Sequence, residues 1–158
     1  MARITIDQIK QLRAQTGAPI MECRTALEKY EGDEKKAQEW IRAKGLEKAD
    51  KKAQRKVKSG LIEAYTHTDG RIGVLVEVGC ETDFVSRNEE FKNFVHELCL
   101  QVAAMNPESV DELLKQPWIR DETKTIEGLV KETISRMGEN IKINRFQRFE
   151  LGIDKISK

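Results

Sequence analysis

The feature that most constrains this chain is a change of hydrophobic period near its middle. From Ile72 to Cys80, apolar residues alternate with other residues, which is typical of a strand with one buried face. From Phe91 to Met105, apolar residues recur every three or four positions, which predicts one long amphipathic helix. Ser86 and Glu89 have the spacing of a capping box, so the helix is predicted to begin near Ser86.

The connection between these two elements contains Glu81-Thr82-Asp83-Phe84-Val85, and Phe84 fits neither period. In one interpretation, Phe84 folds back into the core and Asp83 caps a helical turn. In the other, the pair projects from the surface. The ring would then anchor in a partner's pocket, with the carboxylate directed at a nearby cation or hydrogen-bond donor. Periodicity does not distinguish the two.

Residues 1–45 are predicted to form three short helices that pack together as one domain. Apolar residues at helical spacing mark the helices: Ile6, Ile9 and Leu12, then Ile20, Cys23, Leu27 and Tyr30, then Ala37, Trp40 and Ile41. Gly17, Gly32 and Gly45 are expected to end them in turn. Because each apolar stripe is short, none of the helices is expected to be stable alone.

Residues 46–58 are predicted to form a basic linker helix. From Arg42 to Lys58 there are eight Lys or Arg residues and only two acidic ones. One interpretation is a solvated helix between two domains, and the other is a strip that contacts RNA phosphates. No aromatic residues are interleaved with the charges, which disfavours single-strand binding.

Residues 59–158 are predicted to form a second domain of three strands and several helices. A hairpin of strands 61–65 and 72–80 turns at Asp69-Gly70. Asn106-Pro107 is expected to end the long helix; a short helix within 107–118, an amphipathic helix from about Asp121 to Gly138 and a strand over about 140–151 follow. The predicted fold class is therefore α+β, with a three-helix domain followed by a small three-stranded antiparallel sheet packed with helices.

The last strand contains one aromatic residue that is out of phase. Under strict alternation, Ile141, Ile143, Phe149 and Leu151 share one face and Phe146 lies on the other. An apolar residue on the outer face of a terminal strand indicates either a partner surface or a bulge. Both interpretations stay open.

Composition and spacing exclude several classes of function. The formal net charge is +1, so no overall field draws the chain to nucleic acid or to a membrane. No apolar run approaches the length of a membrane span and no signal pattern opens the chain, which predicts a cytoplasmic protein. Cys23, Cys80 and Cys99 are widely spaced and are expected to be buried thiols, with no metal site or cofactor. His67 and His96 lack a neighbouring nucleophile, so no enzyme is predicted.

Three segments carry specific patterns, in order along the chain: Leu12 to Leu27 contains L-R-x-x-T-G-A-P-x-M-E-C-R-x-A-L, Val76 to Ser86 is V-E-V-G-C-E-T-D-F-V-S, and Gly138 to Ile141 is G-E-N-I. Together they resemble signatures of the translation elongation factor Ts family. The resemblance implies that residues 1–45 form a ubiquitin-associated-like (UBA-like) domain. It also implies the short form of the family, which has a single half of the core and homodimerises. The chain is shorter than such relatives between Met105 and Leu113.

The resemblance implies a guanine-nucleotide exchange factor for the GTPase elongation factor Tu. It implies that Thr82, Asp83, Phe84 and Val85 form a wedge beside the magnesium site of the GTPase. Further implied partner contacts are Leu12, Arg13, Ile20, Met21, Met137 and Gly138, and the off-phase Phe146 is compatible with a dimer contact. The expected partners are elongation factor Tu and a second copy, without a membrane or a specific nucleic acid.

Two other classes of function remain as alternatives. An RNA- or ribosome-binding module that uses residues 42–58 predicts salt-dependent RNA binding that wedge variants leave unchanged. An adaptor for ubiquitin-like proteins predicts that residues 1–50 are sufficient for function.

Overall fold

The computed structural model describes residues 4–153, and the outermost parts of the predicted domains, 1–3 and 154–158, lie outside them. The described residues form an α+β fold, as the sequence predicts. The elements are α1 (Ile6–Thr16), α2 (Ile20–Lys29), α3 (Glu34–Lys52), β1 (Ser59–Thr66), β2 (Ile72–Cys80), α4 (Asp83–Ser86), α5 (Glu89–Met105), α6 (Val110–Lys115), β3 (Pro117–Trp118), β4 (Asp121–Thr125), α7 (Ile126–Met137) and β5 (Ile141–Glu150).

The first three helices pack around a small core of their own. Thr5 begins α1 with a capping box that it shares with Gln8, and Gly17 ends it in the left-handed region at φ 67°. Asp33 caps α3 by accepting a hydrogen bond from the Lys36 N–H. The buried residues of this core are Leu12, Ala18, Cys23, Ala26, Leu27, Ala37 and Ile41.

The prediction that Gly45 ends the third helix is wrong, because α3 continues to Lys52. Gly45 lies where α3 crosses α7. A Cβ at this position would collide with Ser135 Oγ and lie 3.1 Å from Ser135 Cβ. The glycine therefore permits close helix packing rather than a helix end. Residues 46–52 of the predicted linker belong to α3, and Ala49 is buried in the core of the second half.

The sheet has the order β1-β2-β5, and both strand pairs are antiparallel. Val74, Val76 and Val78 of the central strand point into the core, where they meet residues of α5 and α7. The other face of the sheet has no helix packed against it in the described chain and carries exposed apolar side chains. The sheet therefore has one buried face and one open face, which no helix of the described chain covers.

A bulge in β5 explains the out-of-phase aromatic residue. Ile143 pairs with Val78 and Arg145 pairs with Glu77, so Asn144 is an extra residue on this strand. The extra residue reverses the alternation beyond it. Phe146 consequently packs against the same core as Ile143, and Phe149 faces outward. The placement of Phe146 on the outer face is wrong, and the bulge interpretation is confirmed.

Two helix starts also differ from the prediction. The long helix α5 begins at Glu89, where Asn88 caps it by accepting a hydrogen bond from the Glu90 N–H, and not near Ser86. The separate short helix α4 occupies the connection before it. The last helix begins at Ile126 rather than about Asp121, because residues 121–125 instead pair with Pro117–Trp118 in a small β-ribbon.

Candidate functional site

Phe84 lies on the one-turn helix α4 and is the most exposed large apolar side chain among the described residues. Its relative exposure is 88%, whereas the neighbouring Val85 is buried in the core. Val85 therefore fixes the helix to the body of the protein while Phe84 points into solvent. The interpretation that places Phe84 in the core is wrong. Because Val85 is buried, it cannot itself present a contact surface, and the prediction is corrected for that residue.

The carboxylate of Asp83 is held at the base of the projecting ring. Its Oδ1 accepts a hydrogen bond from the hydroxyl of Ser59 at 2.7 Å, and its Oδ2 lies 4.0 Å from the guanidinium of Arg87. The Ser59 hydroxyl also lies 3.3 Å from that of Ser86. Strand β1 thereby positions α4 from one side. Nothing in the sequence pattern indicated this role for Ser59.

The N-terminal side of α4 is held by Glu139. One carboxylate oxygen accepts hydrogen bonds from the N–H groups of Glu81 and Thr82, each at 3.0 Å. The other accepts one from the Thr82 hydroxyl at 2.5 Å. Thr82 precedes α4 without capping it by its own side chain, so this bond to Glu139 accounts for its hydroxyl. Glu139 lies within the G-E-N-I segment, but that pattern indicated no such contact.

A second set of bonds joins the same two segments and extends to the end of α3. The Asn140 N–H donates to the Glu81 carboxylate at 2.7 Å. The buried side-chain amide of Asn140 donates to the carbonyl of Arg55 at 2.7 Å. The turn after α7, the loop before α4 and the chain after α3 therefore form one network. This network places Thr82–Ser86 beside Met137–Gly138.

The predicted contacts in the N-terminal half divide into exposed and buried residues. Met21 is 66% exposed, and Ile20 and Arg13 also lie at the surface. Leu12, in contrast, has no exposed surface and belongs to the N-terminal core. We therefore correct the prediction that Leu12 contacts a partner directly, because its side chain instead supports the helices that carry the exposed residues.

Helix α3 places the N-terminal contacts near the wedge segment. Lys48 forms an ion pair and hydrogen bond with Glu22 in the first turn of α2, next to Met21. Lys52 donates a hydrogen bond to the carbonyl of Gly138 at 2.9 Å. Residues four apart lie one turn apart on the same face of a helix. The first turn of α2 and the end of α7 are therefore bonded to neighbouring positions on one face of α3.

Several cations of the basic strip over residues 42–58 are paired with other parts of the protein. Arg42 lies 3.1 Å from Glu132 of α7, and Lys44 lies over the Trp40 ring with its Nζ 4.6 Å from the centroid. Arg55 lies 3.6 Å from the Glu81 carboxylate. These contacts hold α3 against α7 and the network around Glu139. Arg42, Lys44 and Arg55 therefore have partners within the protein, whereas Lys51, Lys56 and Lys58 are exposed.

The described residues offer no conventional catalytic or metal site. Burial raises the pKa of the Cys99 thiol to about 12 and also raises the pKa values of Cys23 and Cys80, so these thiols are poor nucleophiles. The Nδ1 atom of His96 lies 2.5 Å from Oε1 of Glu63. Within residues 4–153, no cluster of three or more His, Cys, Asp or Glu side chains could hold a metal ion. No helix in that range is long and apolar enough to cross a membrane.

Comparison with known proteins connects this surface to one family. A family model described as Elongation factor TS matches residues 81–157, which include the wedge segment, Glu139 and β5. Elongation factor Ts of Rippkaea orientalis is 41% identical over 198 aligned positions, which cover 96% of this chain and 80% of that protein. Elongation factor Ts of Oleidesulfovibrio alaskensis is 41% identical over 197 positions, which cover 96% of this chain and 100% of that protein.

A third relative has the same sequence identity to this chain. Elongation factor Ts of Thermoanaerobacter sp. strain X514 is 41% identical over 194 positions, which cover 94% of this chain and 95% of that protein. Each aligned span is longer than the 158 residues of this chain. The relatives therefore contain segments that have no counterpart here.

Proposed function

The chain belongs to the elongation factor Ts family, and we propose that it is a guanine-nucleotide exchange factor that promotes release of GDP from elongation factor Tu during protein synthesis. The observation that carries the mechanism is the exposed ring of Phe84 on a helix that is fixed from both sides. A large aromatic ring that is exposed in the free protein and carried on a fixed backbone suits an anchor that fills a partner's pocket.

The proposed mechanism is a coupling between two binding equilibria rather than bond chemistry. A GTPase holds GDP through its phosphate loop and a magnesium ion. We propose that Phe84 enters a pocket that is available only when the groups around that magnesium are displaced. Burial of the ring then stabilises the open state, and nucleotide and exchange factor weaken each other's affinity reciprocally. Asp83, beside the ring, would compete for hydrogen-bond donors near the magnesium site.

The N-terminal half would supply a separate grip on the GTPase. Its exposed Arg13, Ile20 and Met21 flank the loop between α1 and α2, and the neighbouring Glu22 pairs with Lys48, one turn of α3 before the Lys52 that bonds Gly138. We propose that residues 1–45 act as a UBA-like docking domain and that residues 59–158 carry the wedge, with residues 46–58 between them. Because α3 runs through this division, the two parts would engage the partner as one body.

We also propose that two copies of the chain associate through the open face of the sheet. Ile62 of β1, Leu75 of β2 and Phe149 of β5 are exposed on this face, and the ring of Phe149 is 66% exposed. Exposed apolar side chains on three adjacent strands suit a second apolar sheet face. The dimer contact is thus proposed at Phe149, since Phe146 packs inward. The proposed location of the dimer and its partner is the cytoplasm.

The function is tested by loading elongation factor Tu with a fluorescent GDP analogue and following its release after addition of this chain and excess unlabelled GDP. Release should accelerate in proportion to the concentration of the chain until it saturates. No acceleration at micromolar concentration would refute the exchange function. The alternative of RNA binding is weakened because Arg42 and Arg55 pair with carboxylates and Lys44 lies over the Trp40 ring.

A further inference from the structure

We infer that Glu139 is a positioning residue for exchange: it fixes the direction of the wedge helix α4 by holding the loop that precedes the helix. This role rests on the proposed exchange function. It assigns a specific contribution to a residue that need not contact the partner.

The backbone of α4, rather than side-chain contacts, determines the direction of Phe84. The ring is 88% exposed, so contacts of its own side chain do not orient it. The backbone of α4 must orient it, and α4 has only four residues. A helix of one turn has too few internal hydrogen bonds to hold itself, so its flanks decide where it points. Glu139 binds the two residues at its N-terminal flank.

The Glu139 carboxylate holds the backbone before α4 through several hydrogen bonds at once. Two consecutive backbone N–H groups, from Glu81 and Thr82, converge on one oxygen of Glu139, and the Thr82 hydroxyl donates to the other. Consecutive N–H groups that converge on an acceptor form a concave anion site, which fixes the local backbone angles. Both oxygens of the carboxylate are therefore engaged inside the protein.

The backbone that carries Glu139 is itself held in place. Glu139 follows Gly138, which ends α7 in the left-handed region at φ 77°. The next residue, Asn140, is buried and donates its N–H to the Glu81 side chain. The Glu139 carboxylate thus binds backbone N–H groups of the loop before α4, and the Glu81 carboxylate in that loop binds the backbone N–H of Asn140. This reciprocal pair locks the wedge to the turn that carries Met137 and Gly138.

Substitutions at position 139 can separate the effect of hydrogen-bond geometry from the effect of charge. Glutamine at position 139 keeps one oxygen for the two N–H groups, and its amide can donate to the Thr82 hydroxyl oxygen. Alanine keeps neither interaction. If Glu139 acts by positioning, Glu139→Gln should therefore retain most of the activity that Glu139→Ala loses. A residue that acts through its charge on the partner would lose activity in both variants.

The test measures release of a fluorescent GDP analogue from elongation factor Tu with the full-length chain and its variants. Glu139→Ala should lower the maximal release rate about tenfold, since a charge-assisted hydrogen-bonding group is lost, while Glu139→Gln stays within about threefold of wild type. The half-saturating concentration should change less than the maximal rate, because the N-terminal contacts are unaltered. Glu97→Ala is the matched control, because Glu97 is also a half-buried glutamate whose carboxylate is bonded within the protein, but it lies on α5 and contacts Arg120.

Two further readouts separate positioning from general stability. Amide hydrogen exchange at Glu81 and Thr82 should become faster in Glu139→Ala while the core of the sheet stays protected. In a Phe84→Ala background, Glu139→Ala should cause no further loss of rate, because the wedge it positions is absent. If Glu139→Ala does not fold, Thr82→Val removes only the hydroxyl bond and should give a smaller loss in the same direction.

Several results would overturn the inference without affecting the proposed function. These are wild-type rates in Glu139→Ala, equal losses in the Ala and Gln variants, or full additivity with Phe84→Ala. A wild-type chain that fails to accelerate release would instead refute the exchange function itself.

Discussion

Replacement of Phe84 by alanine should separate stability from exchange activity. The ring is 88% exposed in the free protein, so its removal should change the free energy of unfolding by no more than about 0.5 kcal/mol. In the proposed complex the ring becomes buried. The atoms beyond Cβ would then remove on the order of 120 Å² of apolar surface from water, which at about 25 cal/mol per Å² corresponds to about 3 kcal/mol.

A loss of about 3 kcal/mol in the state that releases nucleotide corresponds to a decrease of roughly 100-fold in the exchange rate at low concentration of the chain. The assay is stopped-flow release of a fluorescent GDP analogue, with thermal unfolding measured on the same samples. Phe84→Leu should give an intermediate rate, because leucine keeps part of the apolar area. Ile119→Ala is a matched control, since Ile119 is an exposed apolar residue in the turn between β3 and β4.

Two results would refute the reasoning. Exchange within about threefold of wild type for a folded Phe84→Ala protein would show that ring burial does not drive release. A decrease of about 2 kcal/mol or more in stability would show that the ring packs within the free protein, contrary to its exposure.

Three other perturbations test the remaining features. Gly45→Leu should lower the free energy of unfolding by about 1–3 kcal/mol in denaturant titrations, because the added side chain overlaps Ser135; unchanged stability would show that α3 and α7 are not closely packed there. Phe149→Asp should shift the chain from dimer to monomer in analytical ultracentrifugation at a concentration where the wild type is dimeric; a monomeric wild type would contradict the proposed dimer. Because burial raises the Cys99 pKa from 9.0 to about 12, the neutral thiol favours folding below pH 9, and that contribution should be lost as the pH rises towards 12. At pH 8, alkylation of Cys99 detected by mass spectrometry should therefore require unfolding, and rapid labelling of the native protein would contradict its burial.

The elements with a strong hydrophobic period could be predicted from the sequence, and the contacts between them could not. The alternation in β2 and the apolar stripe of α5 each follow from one buried face, and both elements lie where the pattern places them. The end of α3 was misplaced because Gly45 has the same local signature whether it ends a helix or permits close packing. Only the position of Ser135, ninety residues away, distinguishes the two.

The candidate site, too, could be predicted from the sequence only in part. The exposure of Phe84 could not be decided from periodicity, since a residue between two elements belongs to neither pattern. Strict alternation gave the wrong face for Phe146 because one extra residue, Asn144, is enough to reverse the phase of a strand. No sequence pattern points to Glu139, because its partners, Glu81 and Thr82, lie more than fifty residues away and bond mostly through backbone groups.

The continuity of α3 has a consequence for how the molecule melts and for how proteases attack it. Ile41 is buried in the first core and Ala49 in the second, so the two cores share one helix. Loss of either core would remove the support for half of that helix, and the two halves should unfold in a single cooperative transition. The segment richest in trypsin sites should accordingly resist cleavage as far as Lys52, where the helix ends, and become sensitive beyond it, where Arg55, Lys56 and Lys58 lie exposed outside any helix.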